Sequence, residues 1–377
     1  MGKLRQSGRG EARLISINIR GGCRALAHAT CALSLLAGAS LAAARDLHLV
    51  VATTHPPSLP WVSVIRDHVM PELAARLAAR KAEVSLTWTP AWGTLYRWHD
   101  SLAGVETGLA DIGWVGSLWE SSRLPLQNIT YALPFITDDL PALLRVINRL
   151  HDELPALRAS WENYDAHFLG ASGVDTYHLL TTFPVRSLDD LAGRRILAPG
   201  AAATWLRGTG AIAVDGALSS YYTQLQTGVA DGVLSILTGA HPFRIHEVAP
   251  YVTLVGIGAQ CTGALVANLD VWRQLPAAAR EILGTLGHEY SNRAAAEVVS
   301  RYDRALAALV AEGAQVSTLP PAEKQRWIDG LPPLAVEWAA RNEARGLPAR
   351  AVLRALIAAL REAGVEPVRD WSRDLAP

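Results

Sequence analysis

The chain has 377 residues, of which 50% are hydrophobic and 19% are charged, with 35 basic and 35 acidic residues. This length predicts two or three domains, and the composition excludes a disordered chain. An isoelectric point near 7.2 excludes a strongly basic nucleic-acid-binding protein, so we expect no nucleic-acid partner.

The first 44 residues differ from the rest of the chain. They contain six basic residues and one acidic residue, and an uncharged run rich in Ala and Leu covers residues 25–44. A basic start, an apolar run and an A-x-A site predict a secretory signal peptide that is cleaved near Ala44. A membrane-spanning helix left in place is the alternative, although small and polar residues weaken it. We expect an exported protein without stable membrane insertion after cleavage.

Removal of residues 1–44 changes both the charge and the cysteine count. The remaining chain has 29 basic and 34 acidic residues, a net charge of −5. Cys261 is then the one cysteine left, which rules out an intrachain disulfide. Because Cys261 lies in an apolar stretch, we interpret it as a small buried hydrophobic residue.

From residue 45 onward, short β-type runs alternate with segments of helical period. The pattern predicts strands at 47–52, 84–88, 110–115, 167–171 and 177–182, and helices at 62–77, 95–109 and 142–157. Repeated strand–helix–strand units predict an α/β fold with mainly parallel sheets. In such sheets, ligands bind at the carboxyl ends of the strands.

One predicted helix is much longer than the others. Residues 276–312 contain no proline after Pro276, and apolar residues recur at helical spacing. A helix of about 35 residues is about 50 Å long, which exceeds the diameter of a small domain, so it should run across two lobes. Two helices broken at Gly284 and Gly287 are the alternative.

Three segments follow one another between residues 108 and 232. They read GLADIG at 108–113, FPVRSLDDLAGRRI at 183–196 and YYTQLQTGVADG at 221–232. Their combination resembles the extracytoplasmic solute-binding proteins of tripartite ATP-independent periplasmic (TRAP) transporters, in the dicarboxylate-binding (DctP-type) branch. The similarity extends from about Leu47 to Val365.

The resemblance implies a two-lobed periplasmic-binding-protein fold with a cleft between the lobes and a long helix across both. The expected lobe I is 45–174 plus about 255–290, and lobe II is 175–254 plus about 291–377. The resemblance also implies a periplasmic protein that captures a small solute and delivers it to TRAP-type membrane permease subunits. A binding protein of the same fold that reports its ligand to a signalling partner is the alternative.

The chain departs from the family at the position of an arginine that commonly binds a substrate carboxylate. The strand reads Arg-Ile-Leu-Ala-Pro over 195–199, so Leu197 stands where the family has arginine. Leucine cannot make a bidentate, charge-assisted contact with a carboxylate. Tyr177 stands at or near the place of a second arginine. We therefore expect a ligand other than a simple dicarboxylate, with a dicarboxylate or monocarboxylate bound by other cleft groups as the alternative.

Tryptophan is frequent, with 12 Trp against 4 Phe. Aromatic walls stack on flat rings and attract cations, which favours an aromatic, neutral or amine-bearing solute. Core packing is the alternative for each loop tryptophan. The candidate ligand-binding residues lie in or near the expected strand-end loops and the family segments: His55, Trp61, Trp92, Trp98, Trp114, Trp119, Tyr177, His178, Leu197, Trp205, Leu218, Tyr222 and Ser235.

The sequence carries no motif of an enzyme or a metal site. It lacks G-x-S-x-G, H-E-x-x-H and P-loop patterns, and the glycines at 256 and 258 do not continue as a dinucleotide fingerprint. His241, His246 and Glu247 fit no zinc spacing, and we expect them to pack in surface loops. We therefore predict a binding protein that is not an enzyme, with no catalytic residues, metal or cofactor.

Overall fold

The computed structural model describes residues 45–82 and 84–375. The predicted signal peptide at 1–44 lies outside the described residues. The strands are β1 (Arg45–Thr53), β2 (Val84–Trp92), β3 (Ile112–Val115), β4 (Ala166–Val174), β5 (Tyr177–Thr181), β6 (Arg195–Ala198), β7 (Ile212–Asp215), β8 (Gly232–Ile236), β9 (Tyr251–Leu254), β10 (Gln260–Asn268) and β11 (Gln315–Thr318).

Helices connect these strands and also form the end of the chain. They are α1 (Pro60–Val64), α2 (Met70–Ala79), α3 (Ser101–Glu106), α4 (Leu140–Glu153), α5 (Pro155–Glu162), α6 (Leu218–Gln226), α7 (Leu237–Ala240), α8 (Leu269–Gln274), α9 (Ala277–Ala311), α10 (Pro321–Gly330), α11 (Leu334–Glu343) and α12 (Ala349–Glu362). Short 3-10 segments used below are Ser117–Trp119, Pro125–Ala132 and Gly200–Leu206.

The strands form two sheets, with orders β2-β1-β3-β10-β4 and β11-β9-β5-β8-β6-β7. Strand β10 is antiparallel to both of its neighbours, and so is β5, while the other pairs are parallel. The chain passes from the first sheet to the second between Val174 and Tyr177, and returns between Leu254 and Gln260. This arrangement confirms the predicted α/β fold with mainly parallel pairing.

Three predicted helices differ from the observed ones. The helix predicted at 142–157 is two helices, α4 and α5, because Pro155 lacks an N–H and its ring clashes with the preceding turn. The helix predicted at 95–109 is α-helical only over α3. The helix predicted at 62–77 is divided into α1 and α2, and between them the backbone adopts a π-helical segment over Ile65–Val69.

Helix α9 is continuous over 35 residues, so the predicted long helix is confirmed and the break at Gly284 and Gly287 does not occur. Its first part, including Ile282 and Val298, packs in the large hydrophobic core that includes residues of the first sheet. Its last turns place Leu309 in a separate core beneath the second sheet. The helix therefore joins the two cores.

Close packing of α9 against β4 depends on two glycines. A Cβ at Gly287 would overlap the backbone of Leu169, and a Cβ at Gly170 would overlap the backbone of Gly287. One turn further along the helix, the Ser291 hydroxyl donates a hydrogen bond of 2.7 Å to the carbonyl oxygen of Ala171. Helix and strand thus touch backbone to backbone.

Two smaller sequence expectations can be compared with the structure. Cys261 is a free thiol and is only 6% exposed, which confirms its interpretation as a buried residue. Burial raises the pKa of its thiol to about 12. In the part of the chain from 45 to 375 that the structure describes, none of the helices combines the length and apolarity of a bilayer-spanning segment.

We predict opposite effects for two alanine substitutions in α9. Gly287→Ala should lower the free energy of unfolding by about 3 kcal/mol, because the added methyl group forces the helix away from β4. Gly284→Ala should raise it by about 0.5–1 kcal/mol, because nothing lies near an added Cβ there and alanine favours the helix. Urea denaturation at constant m-value measures both. Equal effects would contradict the close packing.

Candidate functional site

Residues from both sheets line a cavity at the carboxyl ends of strands. The space between them is about 410 Å³, counting the part that is open to solvent. This position is the one at which α/β sheets bind ligands. The lining residues are His55, Trp61, Trp114, Leu118, Trp119, Val174, Tyr177, Pro199, Leu218, Tyr221, Leu234, Ser235, Ile236 and Thr262.

The wall next to the first sheet is aromatic. His55 follows β1, and its ring lies edge-on to Trp61 at 5.8 Å and to Trp114 at 5.5 Å between centroids. The two indoles lie nearly parallel at 6.2 Å. Trp119, in the 3-10 segment after β3, lies 6.4 Å from His55. Four rings from two strand-end regions, those of β1 and β3, thus form one apolar surface.

The wall next to the second sheet combines tyrosines with aliphatic residues. The Tyr177 hydroxyl lies 3.1 Å from the Tyr131 hydroxyl, and its ring is edge-on to Trp205 at 5.2 Å. Leu218 and Tyr221 are three residues apart on α6 and therefore share a face of that helix. Tyr177 is held by buried partners, which fixes the position of its ring.

The cavity carries no positive charge at neutral pH. None of its lining residues is Lys or Arg. Burial lowers the pKa of His55 to about 4, so its imidazole is neutral. The Nδ1 atom of His55 lies 2.8 Å from the Thr54 hydroxyl, which orients the ring.

Three polar atoms of the lining are buried without a hydrogen-bond partner among the described residues. They are the indole Nε1 atoms of Trp61 and Trp119 and the hydroxyl of Ser235. By contrast, the indole N–H of Trp114 donates to the Ser172 hydroxyl at 2.9 Å. Buried donors in proteins are normally paired, so these three groups have capacity to bind a guest in the cavity.

The structure brings together some of the predicted ligand-binding residues and separates others. Those in the cavity lining are His55, Trp61, Trp114, Trp119, Tyr177, Leu218 and Ser235. Those outside the lining are Trp92, Trp98, His178, Leu197, Trp205 and Tyr222. Ligand contact for the first group stays a prediction.

Backbone periodicity explains two of the positions outside the lining. His178 neighbours Tyr177 on β5 and points to the opposite face, where its Nε2 lies 2.7 Å from the Tyr302 hydroxyl. Tyr222 is turned away from Tyr221 by one helical step, and its hydroxyl donates to Glu247 at 3.3 Å. Tyr177 and Tyr221 therefore line the cavity, whereas His178 and Tyr222 do not.

The other four residues outside the lining differ in burial. Leu197 is fully buried in the core beneath the second sheet, together with Leu180 and Val233. Trp205 is fully buried behind Tyr177. The remaining two are half-exposed and belong to β2 and to the 3-10 turn before α3: Trp92 and Trp98.

Seven lining residues were absent from the sequence-based set: Leu118, Val174, Pro199, Tyr221, Leu234, Ile236 and Thr262. Tyr221 had a readable signal, because it lies three residues after the candidate Leu218. Pro199 and Val174 also had one, since each lies at the end of a strand. The aliphatic lining residues of β8, Leu234 and Ile236, cannot be distinguished from core residues by their sequence pattern.

The chain is similar to a family of extracellular binding proteins and to solved structures of TRAP solute-binding proteins. The family model described as "Bacterial extracellular solute-binding protein, family 7" (DctP) matches residues 71–342. A TRAP solute-binding protein from Rhodoferax ferrireducens, in complex with copurified benzoate, superimposes with a TM-score of 0.76 at 17% identity, over 84% of this chain and 98% of that chain.

Two further structures share the fold. A marine metagenome TRAP solute-binding protein specific for aromatic acid ligands, in complex with 3-hydroxybenzoate, has a TM-score of 0.73 at 18% identity, over 85% of this chain and 99% of that chain. A TRAP periplasmic solute-binding protein from Bordetella bronchiseptica with bound mandelate has a TM-score of 0.71 at 21% identity, over 84% and 99%. At these identities the likeness concerns the fold.

We predict that His55 makes the protein sensitive to acid. The folded protein keeps His55 neutral down to a pKa of about 4, whereas the unfolded chain takes up a proton below the ordinary value of 6.5. The free energy of unfolding should therefore fall as pH decreases from 6.5 to 4, by up to about 3 kcal/mol for this residue. Urea denaturation across this range should give a smaller decrease for His55→Gln. Parallel curves for the two proteins would contradict the buried neutral imidazole.

Proposed function

Because the chain belongs to the bacterial extracellular solute-binding proteins of family 7, we propose that its cavity captures a solute built around one aromatic ring. Proteins of this family bind small solutes, are not enzymes, and work with the membrane permease of a TRAP transporter. Export to the periplasm through cleavage near Ala44 is part of the same proposal.

The aromatic wall is the observation that carries the ligand class. His55, Trp61, Trp114 and Trp119 present four rings to one cavity, and Tyr177 faces them from the second sheet. Aromatic rings pair in offset or edge-on geometry at 4.5–7 Å and gain energy beyond their buried area. A flat ring bound between these walls would make the same edge-on or offset contacts with the wall side chains that those side chains make with each other.

A simple dicarboxylate suits this cavity poorly. Two carboxylates buried without a cationic partner lose their hydration and gain no ion pair in return. The lining offers no Lys or Arg, and Leu197, which the resemblance places where the family has arginine, lies in the core beneath the second sheet. The related structures with bound benzoate, 3-hydroxybenzoate and mandelate are consistent with a one-ring ligand, because they show that proteins of this fold hold a ring of this size.

Binding proteins with two lobes respond to ligand through the difference between its affinities for the closed and open states. Here the two walls meet at Gly200, whose φ is +47°. A Cβ at this position would overlap the carbonyl oxygen of Leu118 on the opposite side of the cavity. Gly200 also follows Pro199 of the lining. We propose that this contact permits full closure over the ligand.

Gly200→Ala should weaken ligand binding by at least 10-fold, because the methyl group keeps the walls apart. The strain of alanine at positive φ is a separate effect of about 1 kcal/mol on stability. Gly193→Ala provides the matched control, because Gly193 has φ of +72° and nothing lies near an added Cβ. Isothermal titration of both variants with the same ligand measures the difference. Equal affinities would exclude a role of Gly200 in closure.

A thermal-shift screen tests the ligand class. Benzoate and benzamide should raise Tm by several degrees at saturation, whereas succinate and galacturonate should leave it unchanged, since the stabilisation follows ligand saturation. Trp119→Ala should reduce the shift. Trp272→Ala is the control, because Trp272 stacks on His167 outside the cavity. A shift with succinate and none with ring compounds would exclude the aromatic ligand.

A further inference from the structure

The proposed function leaves open which polar group the aromatic ligand carries, and the unpaired donors of the cavity bear on this question. Trp61 and Ser235 are each 2% exposed, and Trp119 has a buried indole nitrogen. All three line the cavity, and their polar atoms have no partner among the described residues. A partner for them can enter only as part of a guest or as water.

The chemistry of these groups restricts the guest. An indole N–H donates a hydrogen bond and cannot accept one, whereas a hydroxyl does both. The ligand must therefore bring acceptor atoms to Trp61 and Trp119. An ammonium group has donors alone and would leave both indole N–H groups unpaired, so an amine is a poor match for this wall.

The charges around the cavity disfavour an anion. On one side, Glu120 is adjacent to Trp119 and is 5% exposed, and a carboxyl group supplies no positive charge to a ligand. The nearby Arg123 forms an ion pair with Glu106. Neither the lining nor this neighbouring segment offers a free cation to a ligand.

A second carboxylate lies behind the other wall. Asp175 is buried between Val174 and Tyr177 of the lining, and it accepts a hydrogen bond of 2.9 Å from the amide of Leu237 and others from Thr238. Burial raises its pKa to about 6, so it is largely ionised above pH 7. Its charge adds to the effect of burial in raising the pKa of Tyr177. The negative charge of Asp175 would also repel an anionic ligand in the cavity.

We propose that the cavity selects an uncharged aromatic solute whose carbonyl-type oxygen accepts hydrogen bonds from Trp61 and Trp119, with Ser235 binding the same polar group, and that it discriminates against the matching carboxylate. This inference rests on the proposed function and makes its ligand more specific. A primary amide fits the set, because its oxygen accepts from an indole and its NH₂ group donates to the serine oxygen.

Matched pairs of ring compounds test the proposal at pH 7.5 by isothermal titration. The pairs are benzamide with benzoate and 3-hydroxybenzamide with 3-hydroxybenzoate, which differ in charge and share the ring. Each amide should bind at least 10-fold more tightly than its acid. Tighter binding of the acids would overturn this inference and leave the proposed function intact. Binding of none of the four compounds at 10 mM would overturn both.

Two hydroxyl deletions then test the donor set. Ser235→Ala should weaken amide binding by about 3–10-fold, the effect of one hydrogen bond. Ser160→Ala is the matched control, since the Ser160 hydroxyl is buried outside the cavity and donates to the carbonyl oxygen of Leu157 at 2.8 Å. It should change amide affinity by less than about 2-fold. Melting curves confirm that both variants fold. An unchanged amide affinity in Ser235→Ala would overturn the assignment of Ser235.

Discussion

The backbone contact between helix α9 and strand β4 holds the two halves of the fold in register. At Gly170 and Gly287 the helix and the strand approach so closely that no other residue fits at either position. Such an approach fixes the helix along its axis and around it. At the far end of the helix, Glu312 accepts hydrogen bonds from His241 at 3.0 Å and His246 at 2.8 Å, next to the second core. One rigid element is thereby fastened to both cores.

Because β4 leads directly into the crossing, the same contact positions the cavity. Val174 is the last residue of β4 and Tyr177 the first of β5, and both line the cavity. Asp175, between them, binds the amide of Leu237, which follows the lining residue Ile236. These connections are made by backbone atoms and one buried carboxylate. The lining side chains are therefore free to differ among proteins that share this fold at 17–21% identity.

The parts of the fold and of the cavity that could be predicted from the sequence are those that follow from the periodicity of apolar residues. The alternation of strands and helices gave the fold class, and the proline-free run after Pro276 gave the long helix. Strand-end loops also pointed to His55, Trp61 and Trp114. Side-chain direction within an element was harder to assign, because Tyr177 and His178 are both polar aromatic residues and differ only in strand parity. The expectation that Leu197 faces the ligand came from the resemblance to the family, and the structure instead places its side chain in a core.

The unpaired donors connect recognition with closure. A buried donor without a partner costs about 1–3 kcal/mol, and the cavity contains three buried polar atoms of this kind in Trp61, Trp119 and Ser235. In an open cleft, water pairs with these groups and removes the penalty. The empty protein therefore gains by opening, whereas a ligand with a matching acceptor removes the same penalty in the closed state. The groups that select the ligand thus also supply the difference in affinity that a conformational change requires.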